Sequence, residues 1–165
     1  MLSTSPCHRR IDVDISKQLM TIWKDNTKEL EYLISTAKNG PGEVCGSGCT
    51  PRGKHRICLR IGANCPENTV FISRRPTGEI YSPELAVANP GRDWILTRIL
   101  WLSGLEPGRN FGGNLDTRRR YVYIHGTPDS ITLGVPASHG CIRMHNRELM
   151  ELFDLVMVGT EVNIF

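Results

Sequence analysis

The chain has 165 residues, 39% of them hydrophobic and 22% charged, and a formal net charge of +3 at pH 7. This length and apolar content predict a single domain over residues 1–165, with a core large enough to do without disulfides. The small net charge argues against a nucleic-acid partner, and the lack of a long apolar run argues against a membrane partner.

The N-terminal residues MLSTSPCHRR contain no continuous apolar stretch of the kind that an export signal requires. We therefore expect a cytoplasmic protein, or a periplasmic one if a signal has been removed from this sequence. Cytoplasmic proteins keep their thiols reduced, so free thiols are expected at all the cysteines. These are Cys7, Cys45, Cys49, Cys58, Cys65 and Cys141.

The first part of the chain is dominated by alternating apolar and polar residues. Residues 11–15 alternate between isoleucine or valine and aspartate, which predicts a half-buried strand. Residues 19–23 and 30–34 predict two more strands, and the sequence KDN at 24–26 predicts the turn between them. This order favours a series of hairpins.

A loop and a further strand follow. Residues 39–51 are rich in glycine and proline, which predicts a loop. Ile57, Leu59 and Ile61 alternate with polar residues and are expected to share one face of a strand. His55 is expected at the surface.

The centre of the chain is less regular. Short strands are expected at 70–73 and 80–81, whereas the apolar run 94–102 fits either a buried strand or a helix. Residues 104–116 contain four glycines and form a long loop, which is a common feature of functional sites. Because this loop leads into a strand ending at His125, we expect it to cover that histidine.

One helix is predicted near the C-terminus. Asn146 is a favourable N-cap residue, and Val162 and Ile164 predict a last strand. The helix has an apolar stripe at positions i, i+3, i+4 and i+7, formed by Leu149, Leu152, Phe153 and Val156. The sequence therefore predicts a mainly β domain with one packed helix.

The segment 121–145, YVYIHGTPDSITLGVPASHGCIRMH, carries the clearest chemical signal. Cys141 directly follows His139 and Gly140, and His125 precedes it in the same segment. A cysteine nucleophile needs a base to remove its proton, and histidine commonly serves. A tight glycine turn also aims backbone N–H groups at a developing oxyanion. A buried structural thiol is the alternative interpretation.

This pattern resembles the catalytic signature of the L,D-transpeptidase (YkuD-type) family: a histidine, a spacer, and Ser/Thr-His-Gly-Cys followed by an apolar residue and Asn or Arg. Here the spacer is 126–137, and Arg143 stands where many members carry Asn. The sequence TPRGK at 50–54 is similar to the family's Thr-Pro-x-Gly segment. The resemblance covers essentially the whole chain and implies a β-sandwich or barrel with a long glycine-rich loop near the active site.

The resemblance also implies the roles of individual residues. Cys141 is the nucleophile, His125 is its base, and the backbone carbonyl of Gly126 orients the ring. The N–H groups of His139, Gly140 and Cys141 are expected to form the oxyanion hole. Ser138 and Arg143 are candidate substrate contacts. The positive charge of Arg118, Arg119 and Arg120, and not the resemblance, makes these arginines candidates for holding the free carboxylate of a terminal D-alanine. Two roles stay open for Arg143: ordering its loop or binding a substrate carboxylate.

The substrate that the resemblance implies is a peptidoglycan tetrapeptide or muropeptide, cut between its third residue, usually meso-diaminopimelate, and D-alanine. Water as the acceptor gives an L,D-carboxypeptidase of murein recycling, and the expected cytoplasmic location favours this outcome. An amine acceptor gives a cross-linking L,D-transpeptidase, the first alternative. A non-catalytic module that binds peptidoglycan fragments is a further one. The oligomeric state is left open.

No metal or other cofactor is expected. Cys45 and Cys49 flank Gly-Ser-Gly, but the second ligand pair of a structural zinc site is missing, and a redox pair is a weaker alternative still. Asp129 is expected to be a turn residue and not a third catalytic group.

Overall fold

The computed structural model describes residues 8–165, and Cys7 lies outside them. The described part of the chain forms ten strands, two helices and a short 3₁₀ turn. The strands are β1 (Arg9–Asp14), β2 (Leu19–Lys24), β3 (Thr27–Leu33), β4 (Gly53–Ile61), β5 (Thr69–Ile72), β6 (Arg75–Ile80), β7 (Ile95–Gly104), β8 (Tyr123–Gly126), β9 (Ile142–Met144) and β10 (Glu161–Ile164). The helices are α1 (Pro83–Ala88) and α2 (Asn146–Leu155), and the 3₁₀ turn is Gly113–Leu115. None of the helices within 8–165 is long and apolar enough to cross a membrane.

All the strands belong to one branched sheet. Its main path runs β3-β2-β1-β10-β4-β7-β5-β6, while β8 pairs with β7 and with β9. Most neighbours are antiparallel, and β1–β10 and β8–β9 are parallel. Residues from both branches and from α2 pack into one apolar core. The mainly β fold predicted from the sequence is confirmed.

The apolar run at 94–102 is a strand, and it is the branch point of the sheet. As β7 it pairs with β4, β5 and β8. Its two faces are both covered, because Leu100 and Leu102 pack into the main core while Ile99 belongs to a second apolar cluster. This explains why its sequence shows no alternation.

The prediction for β4 is correct only up to Ile57. A bulge between Ile57 and Leu59 shifts the pairing with β7, so that Leu59 is exposed. The prediction for His55 is wrong. This residue lies on the same face as Ile57 and is completely buried, with Nε2 2.9 Å from the Thr117 hydroxyl and Nδ1 2.9 Å from the carbonyl of Gly53.

The predicted stripe of α2 is confirmed, since all four of its residues are buried. The N-cap prediction is wrong: His145 occupies that position, and Asn146 is the first helical residue. A second helix, α1, is not predicted by the sequence analysis. Ser82 caps it by accepting a hydrogen bond from the backbone N–H of Leu85 at 3.1 Å, and it buries no residue, so it has no apolar stripe to detect.

Candidate active site

Parallel pairing of β8 with β9 brings the two halves of the motif together. Ile142 lies opposite Ile124, and Cys141 therefore lies beside Tyr123, whose N–H is 3.3 Å from the cysteine Sγ. The thiol and the ring of His125 line one pocket of about 70 Å³. The rest of its wall consists of Asp93, residues 120–122, the turn 138–140 and Arg143.

His125 is oriented for use as a base. The ring is almost completely buried, and its Nδ1 lies 2.7 Å from the carbonyl oxygen of Gly126. Because a carbonyl only accepts, Nδ1 carries the proton and Nε2 keeps a free lone pair. Burial lowers the pKa of the imidazole, so the ring is neutral at neutral pH. This is the arrangement predicted for Gly126.

Gly126 itself has no room for a side chain. A Cβ at this position would lie 2.2 Å from Oδ1 of Asn146 and 2.6 Å from the carbonyl oxygen of Leu96. A glycine is therefore required where β8 passes between β7 and α2.

The Cys141 thiol is held in its protonated form. It is partly exposed, packs beside the small apolar cluster around Tyr123, and donates a hydrogen bond to the carbonyl of Tyr121 at 3.5 Å. Burial raises the pKa of the thiol to about 12. Within 8–165 no hydrogen bond joins Cys141 to His125, so the thiol must turn from Tyr121 towards Nε2 before its proton is transferred.

The turn before Cys141 is stabilised by hydrogen bonds among its own residues. The hydroxyl of Ser138 accepts from the N–H of Gly140 at 3.2 Å and donates to the carbonyl of Cys141. Gly140 has φ +135°, a conformation that favours glycine. The predicted set of three oxyanion donors is therefore too large, because the Gly140 N–H is already bonded. The N–H groups of His139 and Cys141 are the remaining candidates.

The TPRGK segment supports this turn from the other side. The Thr50 hydroxyl accepts from the N–H of Ala37 at 2.9 Å and donates to the carbonyl of Gly140 at 3.0 Å. Thr50 is completely buried, so both bonds are shielded from water. The resemblance identified this segment as part of the domain. The structure shows that its Thr50 holds the turn before Cys141 through the carbonyl of Gly140.

Comparisons with known proteins agree with this geometry. The model of the YkuD family, L,D-transpeptidase catalytic domain, matches residues 8–164. The chain belongs to this family.

Two curated relatives come from Bacillus subtilis. The putative L,D-transpeptidase YqjB is 48% identical over 141 residues, covering 85% of this chain and 61% of the relative. The putative L,D-transpeptidase YkuD is 34% identical over 95 residues, covering 57% and 47%. The chain thus spans less than two thirds of the length of either relative.

A solved L,D-transpeptidase from Mycobacterium smegmatis has the same fold, with a TM-score of 0.56 and 18% sequence identity. The match covers 96% of this chain and 59% of that one.

The predicted substrate contacts of this YkuD domain are separated in space. Arg143 lines the pocket, but its guanidinium is bound to Asp93 at 3.0 Å and to the carbonyl of Ala137 at 3.4 Å, which favours an ordering role. The hydroxyl of Ser138 is committed within its own turn and not free for substrate. The side chain of His139 is exposed and lies 3.8 Å from Asp93.

The three consecutive arginines also lie in different places. Arg120 lines the pocket, but its guanidinium donates to the carbonyls of Gly42, Glu43 and Cys49 and so fixes the 39–51 loop. Arg118 and Arg119 lie outside the pocket and line a neighbouring cleft. Their predicted contact with the D-alanine carboxylate at Cys141 is therefore not supported.

The 104–116 loop does not cover His125. It packs against the start of β4, where the amide of Asn110 donates to the carbonyls of Arg52 and Lys54. Residues 120–122 border the pocket instead. The prediction is wrong because a tight turn follows the loop, with the N–H of Arg120 bonded to the carbonyl of Asp116 and the N–H of Tyr121 to that of Arg118, and the chain reaches the pocket only from Arg120 onwards.

Sequence reasoning missed a polar cluster behind the base. Asn146 is completely buried, accepts from the Thr97 hydroxyl at 2.6 Å and donates to the carbonyl of Thr127 at 2.9 Å. Its amide nitrogen also contacts Asn68 at 3.1 Å and Asp129 at 3.3 Å. A signal was present: Asn146 precedes Leu149 by three residues and therefore lies on the buried face of α2.

The described cysteines, Cys45, Cys49, Cys58, Cys65 and Cys141, are free thiols. Over residues 8–165 no three metal-binding side chains are grouped as a metal site would require.

Proposed function

We propose that this domain catalyses acyl transfer on the stem peptide of peptidoglycan, cleaving the bond between the third residue and the terminal D-alanine. The observation that carries the proposal is the shared pocket of a Cys141 thiol and a neutral His125 whose Nε2 is free because Nδ1 donates to Gly126. Membership of a family of L,D-transpeptidase catalytic domains supports the same reaction.

In the proposed acylation, Nε2 of His125 takes the thiol proton while Sγ of Cys141 attacks the carbonyl carbon of the third residue. The oxyanion forms beside the N–H groups of His139 and Cys141. Collapse expels the amine of D-alanine, which takes the proton back from the imidazolium. The product is a thioester on Cys141 and one free D-alanine.

We propose water as the acceptor of this acyl group, which makes the domain an L,D-carboxypeptidase. His125 then takes a proton from water, hydroxide adds to the thioester, and the tripeptide leaves as the thiol is regenerated. Cys141 is partly exposed and no residue of the 104–116 loop lines its pocket, which supports access of water. Transpeptidation is the second candidate, and the names of the relatives support it.

Products distinguish these outcomes. Purified protein is incubated with a disaccharide tetrapeptide, with and without an amine acceptor, and products are identified by mass. We expect tripeptide and D-alanine, with little cross-linked dimer. Dimer as the main product favours the transpeptidase, and binding without turnover favours the non-catalytic module. The cytoplasmic location stays a prediction that cell fractionation tests.

A further inference from the structure

A second cleft adjoins the pocket of Cys141. It has a volume of about 600 Å³, and Tyr121 lines both cavities. The carbonyl of Tyr121 also accepts the hydrogen bond of the Cys141 thiol. A peptide whose reacting carbonyl lies at Cys141 therefore has the cleft within reach of its neighbouring residues.

The cleft is lined by arginines whose guanidinium groups form no ion pair or hydrogen bond with the described residues 8–165. Within 8–165, seven arginines form ion pairs with carboxylates, namely Arg9, Arg10, Arg52, Arg92, Arg109, Arg143 and Arg147. In this part of the chain only Arg56, Arg75, Arg118 and Arg119 lack both an ion pair and a guanidinium hydrogen bond. Three of these four line the cleft.

Negative charge within the cleft does not offset them. Asp116 is the one acidic residue in the cleft wall, and its oxygens accept from the N–H groups of Gly112 at 2.8 Å and Arg119 at 3.0 Å. The cleft therefore keeps an excess of positive charge, and its guanidinium groups are available to an anionic ligand.

Aromatic rings hold part of this charge in place. The rings of Trp101 and Tyr121 lie 6.0 Å apart, and the guanidinium of Arg118 lies 5.2 Å from the Trp101 ring centre. The indole N–H donates to the carbonyl of Arg118 at 3.1 Å. A stacked guanidinium loses less conformational freedom on binding than a free surface side chain does.

We propose that this cleft binds free carboxylates of the stem peptide on the N-terminal side of the scissile bond, and so selects acidic stems over amidated ones. The inference rests on the proposed function for the identity of the peptide. Guanidinium groups bind carboxylates through paired, charge-assisted hydrogen bonds, and amidation removes both the charge and one acceptor oxygen.

A binding measurement on a catalytically inactive variant tests the role of the cleft separately from catalytic turnover. In Cys141→Ala protein, calorimetry compares two synthetic tetrapeptides that both end in free D-alanine, one with its internal carboxylates free and one with them amidated. We expect the acidic peptide to bind about tenfold more tightly, the scale of one or two charge-assisted hydrogen bonds. Adding R118Q and R119Q should reduce this preference to about twofold or less.

The matched control is R75Q, which removes an exposed arginine outside the cleft that likewise has no ion pair or guanidinium hydrogen bond within 8–165, and it should keep the preference. Equal binding of both peptides, no measurable binding of the acidic one, or an equal loss in R75Q would overturn the proposal. So would a glycerol-phosphate polymer that binds while neither peptide does. Turnover by the unmodified protein is measured in parallel, so that failure of the reaction and failure of the cleft give different results.

Discussion

At the scale of single residues, Cys141 and His125 form a neutral pair. Burial raises the pKa of the thiol and lowers that of the imidazole, so the resting enzyme holds a thiol and a neutral ring. Catalysis of this kind depends on proton transfer during attack and does not use a preformed thiolate. Two predictions follow from this one property.

The first concerns reactivity without substrate. A thiol with a pKa of about 12 carries little thiolate at pH 7, so we expect iodoacetamide to modify Cys141 at least about tenfold more slowly than the exposed Cys45. The rate at Cys141 should rise with pH up to at least pH 10. Peptide mass spectrometry measures both sites in one sample. Rapid modification of Cys141 at pH 6 would indicate a thiolate–imidazolium pair instead.

The second concerns the base. His125→Ala should lower kcat/KM by at least about 100-fold at pH 7, the scale of a lost general base. The deficit should shrink as pH rises, because hydroxide then forms the thiolate without help. His139→Ala, which removes an exposed ring, is the control and should keep most of the activity. A deficit that is constant from pH 6 to pH 10 would mean that His125 has only a structural role.

At the scale of elements, the first turn of α2 positions the end of β8. Asn146 connects Thr97 of β7 to the backbone at Thr127, directly after the His125–Gly126 pair. Thr97 has φ +73°, an unusual conformation for a β-branched residue, and it lies in the bulge of β7 opposite β8. The ring of His125 is therefore held through a chain of buried contacts.

Removing this connection should affect both folding and catalysis. We expect Asn146→Ala to lower the free energy of unfolding by about 2 kcal/mol, because it leaves buried polar groups without partners. It should also lower kcat more than it raises KM. Urea denaturation and steady-state kinetics measure these effects. Arg147→Ala, at the exposed next position, should stay within about 0.5 kcal/mol of wild type. Equal effects of both variants would refute the positioning role.

The elements that sequence reasoning identified are those with a local signal. Alternation identified β1 and β3, an apolar run identified β2, and the apolar stripe identified α2, because each of these patterns reflects burial. Asn146 was assigned to the N-cap on its residue type, although its spacing from Leu149 already placed it on the buried face. The bulge in β4 depends on pairing with β7 and has no local signal.

At the scale of the whole molecule, His55 links stability to pH. It is completely buried, and burial lowers its pKa to about 4, whereas an unfolded chain binds the proton near pH 6.5. Because the unfolded state binds more protons in this range, stability falls as pH drops below about 6.5. The loss between pH 7 and pH 5 is about 2 kcal/mol.

We therefore expect His55→Gln to flatten the dependence of unfolding free energy on pH between 7 and 5, even if it lowers stability at pH 7. Denaturation curves at several pH values measure the slope. His139→Gln removes an exposed histidine and should leave the slope unchanged. An identical slope in wild type and His55→Gln would contradict the assignment.

Some features of the candidate site could likewise be predicted from a local stretch of sequence, whereas others depend on residues that are far apart in the chain. Cys141, His125 and Gly126 were identified from sequence because they lie in one continuous motif. The contact of Thr50 with Gly140 joins residues 90 positions apart. The separation of Arg120 from Arg118 and Arg119 depends on the turn over 116–121 and on the bonds of Arg120 to the 39–51 loop. Such features depend on tertiary structure, so residue type alone placed all three arginines together.

The most direct test of the central claim is intact-protein mass spectrometry after rapid acid quenching of a mixture with tetrapeptide. We predict a covalent adduct whose mass is that of the tetrapeptide minus D-alanine, located on Cys141, with free D-alanine released. Cys141→Ala should show neither. Release of D-alanine by Cys141→Ala at the wild-type rate, or an adduct on another residue, would contradict the assignment of Cys141 as the nucleophile.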